Sequence, residues 1–283
     1  MTVSLALDQG AAHLRQAGIA DAAWDAERLL RHLTGWDRAH LLAGDLDELP
    51  AQTEAAFFQL IARRAQRIPL QHLTGTQAFW RHQFLVSPDV LIPRPETELI
   101  VESGLHAVSA ANQPVIIDVG TGSGCIALSL AAERPDSVVY GLDISPAALA
   151  VAAENARRLD LAGRVRFLLG DFLASPPVPP DTAHLIVSNP PYVDAAEIPD
   201  LLPEVRDHEP RQALLPPDDR YGAYRRLAPQ ALPLLVPGGT LILEVGRGMA
   251  DQVCALCTGA GLSVRSVLRD LQGIPRTVVA GKD

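Results

Sequence analysis

The chain holds 283 residues, 48% of them apolar and 20% charged, with a formal net charge of −9. This is the composition of a globular chain, and it excludes disorder and, with no apolar run near ~18 residues, a membrane span. The acidic balance also argues against a chain that grips nucleic acid by itself, because that affinity comes mainly from Lys and Arg on phosphates, and Lys282 is the only lysine.

The length suits two domains. Residues 1–75 contain no convincing strand. Leu5, Leu14, Ala17 and Ile19 recur at helical spacing, as do Ala26, Leu29, Leu30 and Leu33, and then Phe57, Phe58, Ile61 and Ala65. Asp21 and Thr53 are expected helix starts. A small helical bundle is therefore expected over 1–75, with a recognition role. Residues 76–95 change character: Phe79-Trp80, Phe84-Leu85-Val86 and Val90-Leu91-Ile92 predict a short hairpin or an extended linker, punctuated by Pro88, Pro93 and Pro95. The domain boundary is placed there.

Residues 96–283 are expected to form an α/β domain. Strands are predicted at 115–117, 138–142, 165–169, 184–187, 241–245, 263–268 and 277–280, with helices between them. One helix runs through Leu130, and another starts at Ser145-Pro146, a cap residue followed by a first-turn proline. Alternation of this kind implies a Rossmann-like, mainly parallel seven-stranded sheet with helices on both faces. The three cysteines, Cys125, Cys254 and Cys257, fit a reducing compartment. Cys254 and Cys257 form a C-x-x-C without further ligands in pattern, which reads as two small apolar residues one helical turn apart. The eight histidines are scattered, and no metal is expected. With no signal-like N-terminus, a cytoplasmic location is expected.

Four stretches carry chemistry. Asp118-Val119-Gly120-Thr121-Gly122-Ser123-Gly124 follows a strand and opens a helix, where glycines let the backbone turn tightly and approach a ligand. That turn alone does not separate a dinucleotide from S-adenosylmethionine, but Asp118 just before it suits the cationic methionine end of the latter. Asp143 closes the next strand, about 20 residues on, where an acid takes hydrogen bonds from ribose hydroxyls. Gly170-Asp171-Phe172 ends the third strand, with an acid for an adenine amino group and a flat ring to flank adenine. Asn189-Pro190-Pro191-Tyr192 follows the fourth strand.

This last stretch is the most specific. A planar amide nitrogen has two hydrogens and a lone pair delocalised into its carbonyl. The Asn189 side-chain carbonyl and the Pro190 carbonyl offer two acceptors for those hydrogens. As the nitrogen attacks and loses planarity the hydrogens gain positive charge, so the bonds strengthen in the transition state. Tyr192 is expected to stack on the amide and hold it in line. No strong base is needed before attack.

Leu91-Ile92-Pro93-Arg94-Pro95-Glu96-Thr97-Glu98, the 118–125 loop and Val187-Ser188-Asn189-Pro190-Pro191-Tyr192 together resemble the HemK/PrmC family of peptide chain release factor N5-glutamine methyltransferases. Glu204-Val205, Glu209-Pro210, Ala213-Leu214, Gly238-Gly239 and Glu244-Val245-Gly246 are similar to that family as well. The resemblance spans about residues 68–280. It implies a class I methyltransferase fold, S-adenosylmethionine as cofactor with S-adenosylhomocysteine as product, and the Gly-Gly-Gln loop of a release factor as substrate. By the same resemblance Gly120, Thr121, Gly122, Ser123, Gly124, Asp143 and Phe172 would contact the cofactor, and Asn189, Pro190, Pro191 and Tyr192 the glutamine; Asp118, Asp171 and Asn189 are expected at the cofactor as well. Arg94 and Glu96 would shape a pocket lid. The chain departs from the family pattern at His208 and at Leu215-Pro216-Pro217-Asp218-Asp219, both on the expected substrate side.

The same N-P-P-Y also serves enzymes that methylate adenine N6 or guanine N2. Such an enzyme takes a base out of its stack and needs a basic face. A cofactor-binding scaffold would have no need of two acceptors aimed at an amine. A nicotinamide enzyme would want a glycine where Cys125 stands. No stable nucleic-acid or membrane partner is expected, and a monomer is.

Overall fold

The computed structural model describes residues 1–283, the side chain of Leu42 excepted. The chain divides into two compact units, one of residues 1–76 with 201–208, the other of residues 77–200 with 209–283.

The first unit is helical: α1 (Val3–Gln16), α2 (Ala22–Thr34), α3 (Arg38–Ala43), α4 (Ala51–Ala65) and α5 (Leu70–Thr74). Val3, Ala6 and Leu14 of α1 pack with Ala26, Leu29 and Leu30 of α2 and with Phe57 and Ile61 of α4. The spacing of three to four residues puts each set on one face. Leu5, expected on the buried face, is 47% exposed, because the neighbouring Val3 and Ala6 define a stripe that turns it outward. Asp21 precedes α2 as expected, though its side chain makes no capping bond. Thr53 does not start α4. Pro50 takes the extended backbone of a cap residue and the helix begins at Ala51, leaving Thr53 inside the first turn. The late segment 201–208 joins this unit through buried charges. Arg64 meets Asp25 at 2.7 Å and Glu204 at 2.9 Å, and Arg67 meets Glu204 at 2.7 Å.

The second unit opens with the hairpin β1 (Thr76–Phe79) and β2 (His82–Leu85), which turns at Trp80 with φ 53°. Its Phe79 and Phe84 are fully buried among core residues, so the segment packs as part of this unit. Then come α6 (Glu98–Ala107), β3 (Val115–Val119), α7 (Cys125–Glu133), β4 (Val138–Asp143), α8 (Pro146–Arg158), β5 (Val165–Leu169) and β6 (Ala183–Ser188). After them follow α9 (Gly222–Ala231), β7 (Leu235–Glu244), α10 (Ala250–Gly259), β8 (Ser263–Arg269) and β9 (Pro275–Gly281). Ser145 caps α8, accepting the Ala148 N–H at 3.2 Å, with Pro146 in the first turn as its sequence requires.

The seven large-sheet strands lie in the order β5-β4-β3-β6-β7-β9-β8. All pairs are parallel except β7 with β9 and β9 with β8. Period-two alternation gives the sheet two apolar faces. Ile116, Leu185 and Ile242 point into the core made with α6, α7 and α8. Ile117, Ile186, Leu241 and Leu243 point into the other, made with α9 and α10. The strand order reverses between β3 and β6, and it is outside the carboxyl ends there that a ligand crevice opens in sheets of this type. No helix among the described residues is long and apolar enough to cross a membrane.

One side chain ties the hairpin to the crevice. Asn155 of α8 is fully buried. Its Oδ1 accepts the Leu85 N–H at 2.6 Å, and its Nδ2 donates to the Leu85 carbonyl at 3.0 Å and the Ser123 carbonyl at 2.9 Å. Removing it leaves three backbone groups unpaired in the interior, at about 1–3 kcal/mol for each that water cannot reach. Asn155→Ala is therefore expected to lower the unfolding free energy by about 2–4 kcal/mol in urea titration, whereas an exposed change such as Arg157→Ala costs under ~0.5 kcal/mol.

Candidate active site

A cleft of about 410 Å³ opens at the carboxyl edge of β3, β4, β5 and β6, a volume suited to a nucleoside-sized ligand. Gly120, Thr121, Gly122 and Ser123 line it, with Asp143, Gly170, Asp171, Phe172, Asn189, Pro190 and Pro191. Of the expected residues, Glu96, Asp118, Gly124 and Tyr192 do not line it.

The glycine loop is held from below. The N–H groups of Gly120 and Thr121 both donate to the Leu142 carbonyl, at 2.8 and 2.9 Å. Gly120 and Gly122 have φ of 73° and 55°, and a Cβ at either would meet no atom within 4 Å, because it would project into the open cleft. The loop thus presents bare backbone to whatever lies there. Asp118 sits behind it, fully buried. Its Oδ2 accepts the Thr121 hydroxyl at 2.7 Å and the Ala127 N–H at 3.2 Å, which ties the loop to the first turn of α7. Its Oδ1 has no partner. Gly124 is the left-handed residue (φ 79°) from which α7 starts.

Asp143 ends β4 with each oxygen committed to backbone. Oδ2 accepts the Gly122 N–H and Oδ1 the Ser145 N–H, both at 2.9 Å. Burial raises its pKa, and the same amide bonds oppose the shift. A carboxylate has about four lone-pair sites, so acceptor capacity remains on the cleft side. At the end of β5, Asp171 pairs with Arg226, whose guanidinium also stands over the Phe172 ring at 4.6 Å. Arg226 comes from α9, lines the cleft, and carries no signal in the sequence.

At the end of β6, Ser188 donates to the Val119 carbonyl at 2.7 Å and locks this strand end to β3. Asn189 follows at the cleft wall. Its Nδ2 donates to the Thr97 hydroxyl oxygen at 3.2 Å, and Thr97 donates to Glu244 Oε2 at 2.6 Å. The Tyr192 ring lies against the backbone of Gly246, where a Cβ would come within 3.0 Å of it, and its hydroxyl is 3.5 Å from Glu244 Oε1. Tyr192 therefore braces the turn from behind the cleft wall. Arg94 lines the cleft and donates to the buried Glu209 at 2.6 Å. Pro216 and Pro217, in the stretch that departs from the family pattern, line the cleft as well. The Cys254 and Cys257 thiols are free and lie on α10, away from the cleft.

Two fully buried carboxyls underlie the site. Burial pushes Asp118 up to about 7, against its bonds from Thr121 and Ala127. Burial also pushes Glu244 up to about 7, against the Thr97 hydroxyl and the Arg276 charge. In the unfolded chain both would titrate near 4. Between about pH 4 and about pH 7 the folded state thus holds protons that the unfolded state has released, so stability is full below that window and lost as pH rises through it. The thermal midpoint without added ligand is expected to fall between about pH 5 and about pH 8, by a free energy on the order of 2–4 kcal/mol per carboxyl, and Asp118→Asn is expected to flatten that slope in calorimetry.

The chain matches two family models, a PrmC N-terminal domain over residues 6–75 and a methyltransferase domain over residues 111–261. It is 45% identical to a release factor glutamine methyltransferase of Cereibacter sphaeroides, with 99% of this chain and 98% of the relative covered. A relative of the same name from Moorella thermoacetica is 45% identical with the same coverage, and one from Bradyrhizobium diazoefficiens is 43% identical over 96% of this chain and 92% of the relative. Among solved structures, a precorrin-6y C5,15-methyltransferase of Geobacter metallireducens aligns over 71% of this chain and 94% of its own, at 12% identity and a TM-score of 0.48.

Proposed function

The chain belongs to the release factor glutamine methyltransferases, and from that premise we propose that it methylates the side-chain amide nitrogen of the glutamine in a release factor's Gly-Gly-Gln loop. The enzyme is dependent on S-adenosylmethionine, which supplies an electrophilic methyl group when bound. The observation that carries the reading is the position of Asn189 and Pro190 in one cleft with the bare glycine loop and Asp143.

The residues present fit the cofactor. A Cβ at Gly120 or Gly122 would fill cleft space that the backbone leaves open. Asp143 keeps acceptor capacity for ribose hydroxyls while its amide bonds hold it still. The unpartnered Asp118 Oδ1 belongs to a carboxyl that stabilises positive charge near the loop once ionised, and a cationic group bound there favours that ionised form. Phe172 with Arg226, and Asp171 beside them, suit the flat and polar edges of adenine.

The chain's part in the chemistry is positioning and polarity. Asn189 Oδ1 and the Pro190 carbonyl accept the two amide hydrogens of the substrate, and both bonds strengthen as those hydrogens turn acidic. The prolines contribute no N–H that would occupy these acceptors. Tyr192, held against Gly246, keeps the turn from yielding. The proton leaves after attack, when the nitrogen is cationic and acidic, so no side chain needs to remove it beforehand. Arg94, Pro216 and Pro217 form the substrate side of the wall. The helical unit, residues 1–76 with 201–208, serves release-factor recognition. The enzyme is proposed to act as a monomer. Release factors work in the cytoplasm, which is the location proposed. A nucleic-acid substrate is not favoured, given the net charge of −9 and the release-factor relatives.

The test is label transfer. Tritiated S-adenosylmethionine should label a release factor and not the same factor with its Gly-Gly-Gln glutamine changed to alanine; equal label on both, or label on RNA instead, would refute the assignment. Asn189→Ala should lower kcat about 10²–10³-fold, the usual effect of losing one preorganised transition-state contact. Asp143→Ala should act on binding, weakening the cofactor Kd about 10–100-fold in titration calorimetry.

A further inference from the structure

Glu244 ends β7 and is 3% exposed. No step of the transfer uses it, yet an interior carboxyl is costly to keep. Its two oxygens reach both ends of the Asn189–Tyr192 turn. Oε2 takes the Thr97 hydroxyl at 2.6 Å, and Thr97 in turn takes the Asn189 Nδ2 at 3.2 Å. Oε1 faces the Tyr192 hydroxyl at 3.5 Å.

A threonine hydroxyl has one proton to give and two lone pairs. With Glu244 ionised and that proton committed to the short bond to the carboxylate, Thr97 Oγ can only accept from Asn189. The Asn189 amide must then turn its NH2 to Thr97, which leaves Oδ1 uncommitted to it. Without the carboxylate the hydroxyl is free to rotate and donate to Oδ1. The Asn189 side chain would then keep its shape with the opposite polarity, and would offer an NH2 to an incoming NH2. A planar amide alone has little to choose between the two orientations, so the choice must come from outside it.

We propose that Glu244, acting through Thr97, is the positioning residue that sets which way the Asn189 amide faces, and so makes the turn an acceptor for an amine. The role of Oδ1 rests on the function proposed above; the orientation itself does not. Thr97 and Glu244 are 147 positions apart and share no motif with Asn189, so the relay exists only in the folded chain.

Thr97→Val, which keeps the shape and removes the hydroxyl, and Thr97→Ser, which restores it, separate polarity from packing. In 15N-labelled protein the Asn189 side-chain signal is identified by its loss in Asn189→Asp. Its amide protons should exchange with solvent at least about tenfold more slowly in the native chain and in Thr97→Ser than in Thr97→Val. In turnover on release factor, Thr97→Val should lower kcat about 10–100-fold with KM and cofactor Kd changed less than about threefold, and Thr97→Ser should recover most of it. Glu244→Gln should lower kcat about tenfold on its own and add less than about threefold to Thr97→Val, because both act through one hydroxyl. Equal exchange in the native chain and Thr97→Val, or an unchanged kcat in Thr97→Val, would overturn the relay. So would fully additive losses. A native chain that leaves the release factor unmethylated would sink the substrate assignment instead, and the exchange rates would still decide this one.

Discussion

The parallel ladder through β4, β3, β6 and β7 is the constraint on which the cleft depends. Val119 pairs with both Leu142 and Ser188, and Ser188 pairs with Leu243. Four strand ends therefore finish at one level, and the segments that follow them meet: the glycine loop, Asp143, Asn189 and Glu244. Side chains alternate along each strand, so a slip of one residue would exchange the two faces and turn Asp118 and Glu244 away from the loops they support. Packing of α6, α7 and α8 on one face and of α9 and α10 on the other fixes the register, because both faces are apolar.

On that frame the polar groups are arranged before any ligand arrives. Asp143 is held by two backbone amides, the glycine loop by the Leu142 carbonyl, and Asn189 by Thr97. Groups fixed in this way need no reorganisation during reaction, which is where a site of this kind derives most of its effect. The opposing cost is two interior carboxyls, Asp118 and Glu244, both pushed up to about 7 by burial. Each supports a loop, one beneath the glycine turn and one behind the Asn189 turn.

Much of this was legible in the sequence, for local reasons. Strand alternation, the cap and proline at Ser145-Pro146, the glycine turn and N-P-P-Y are all short-range signals, and the strands fall where the apolar runs place them, except that β7 starts at Leu235, ahead of the expected start at Leu241, and ends at Glu244. Leu5 and Thr53 misled, because one apolar residue does not define a helix stripe and because Pro50 already supplied a cap conformation. Asp118 and Tyr192 were expected at the ligand and stand behind the cleft wall; strand-end position gives an approximate depth but not the direction of a side chain. What the sequence hides altogether is long-range. Arg226 over Phe172, Thr97 between Asn189 and Glu244, and residues 201–208 in the helical unit depend on pairs far apart in the chain.

The most direct measurement of the central claim is the position of the methyl group on the product. Release factor treated with the enzyme and S-adenosylmethionine is digested, and the Gly-Gly-Gln peptide is fragmented in a mass spectrometer. The account predicts one added methyl on that glutamine, released as methylamine on acid hydrolysis, which places it on the side-chain nitrogen. A methyl found on a carboxylate, a lysine or any other residue, or released as methanol, would contradict a site built to accept the two hydrogens of an amide.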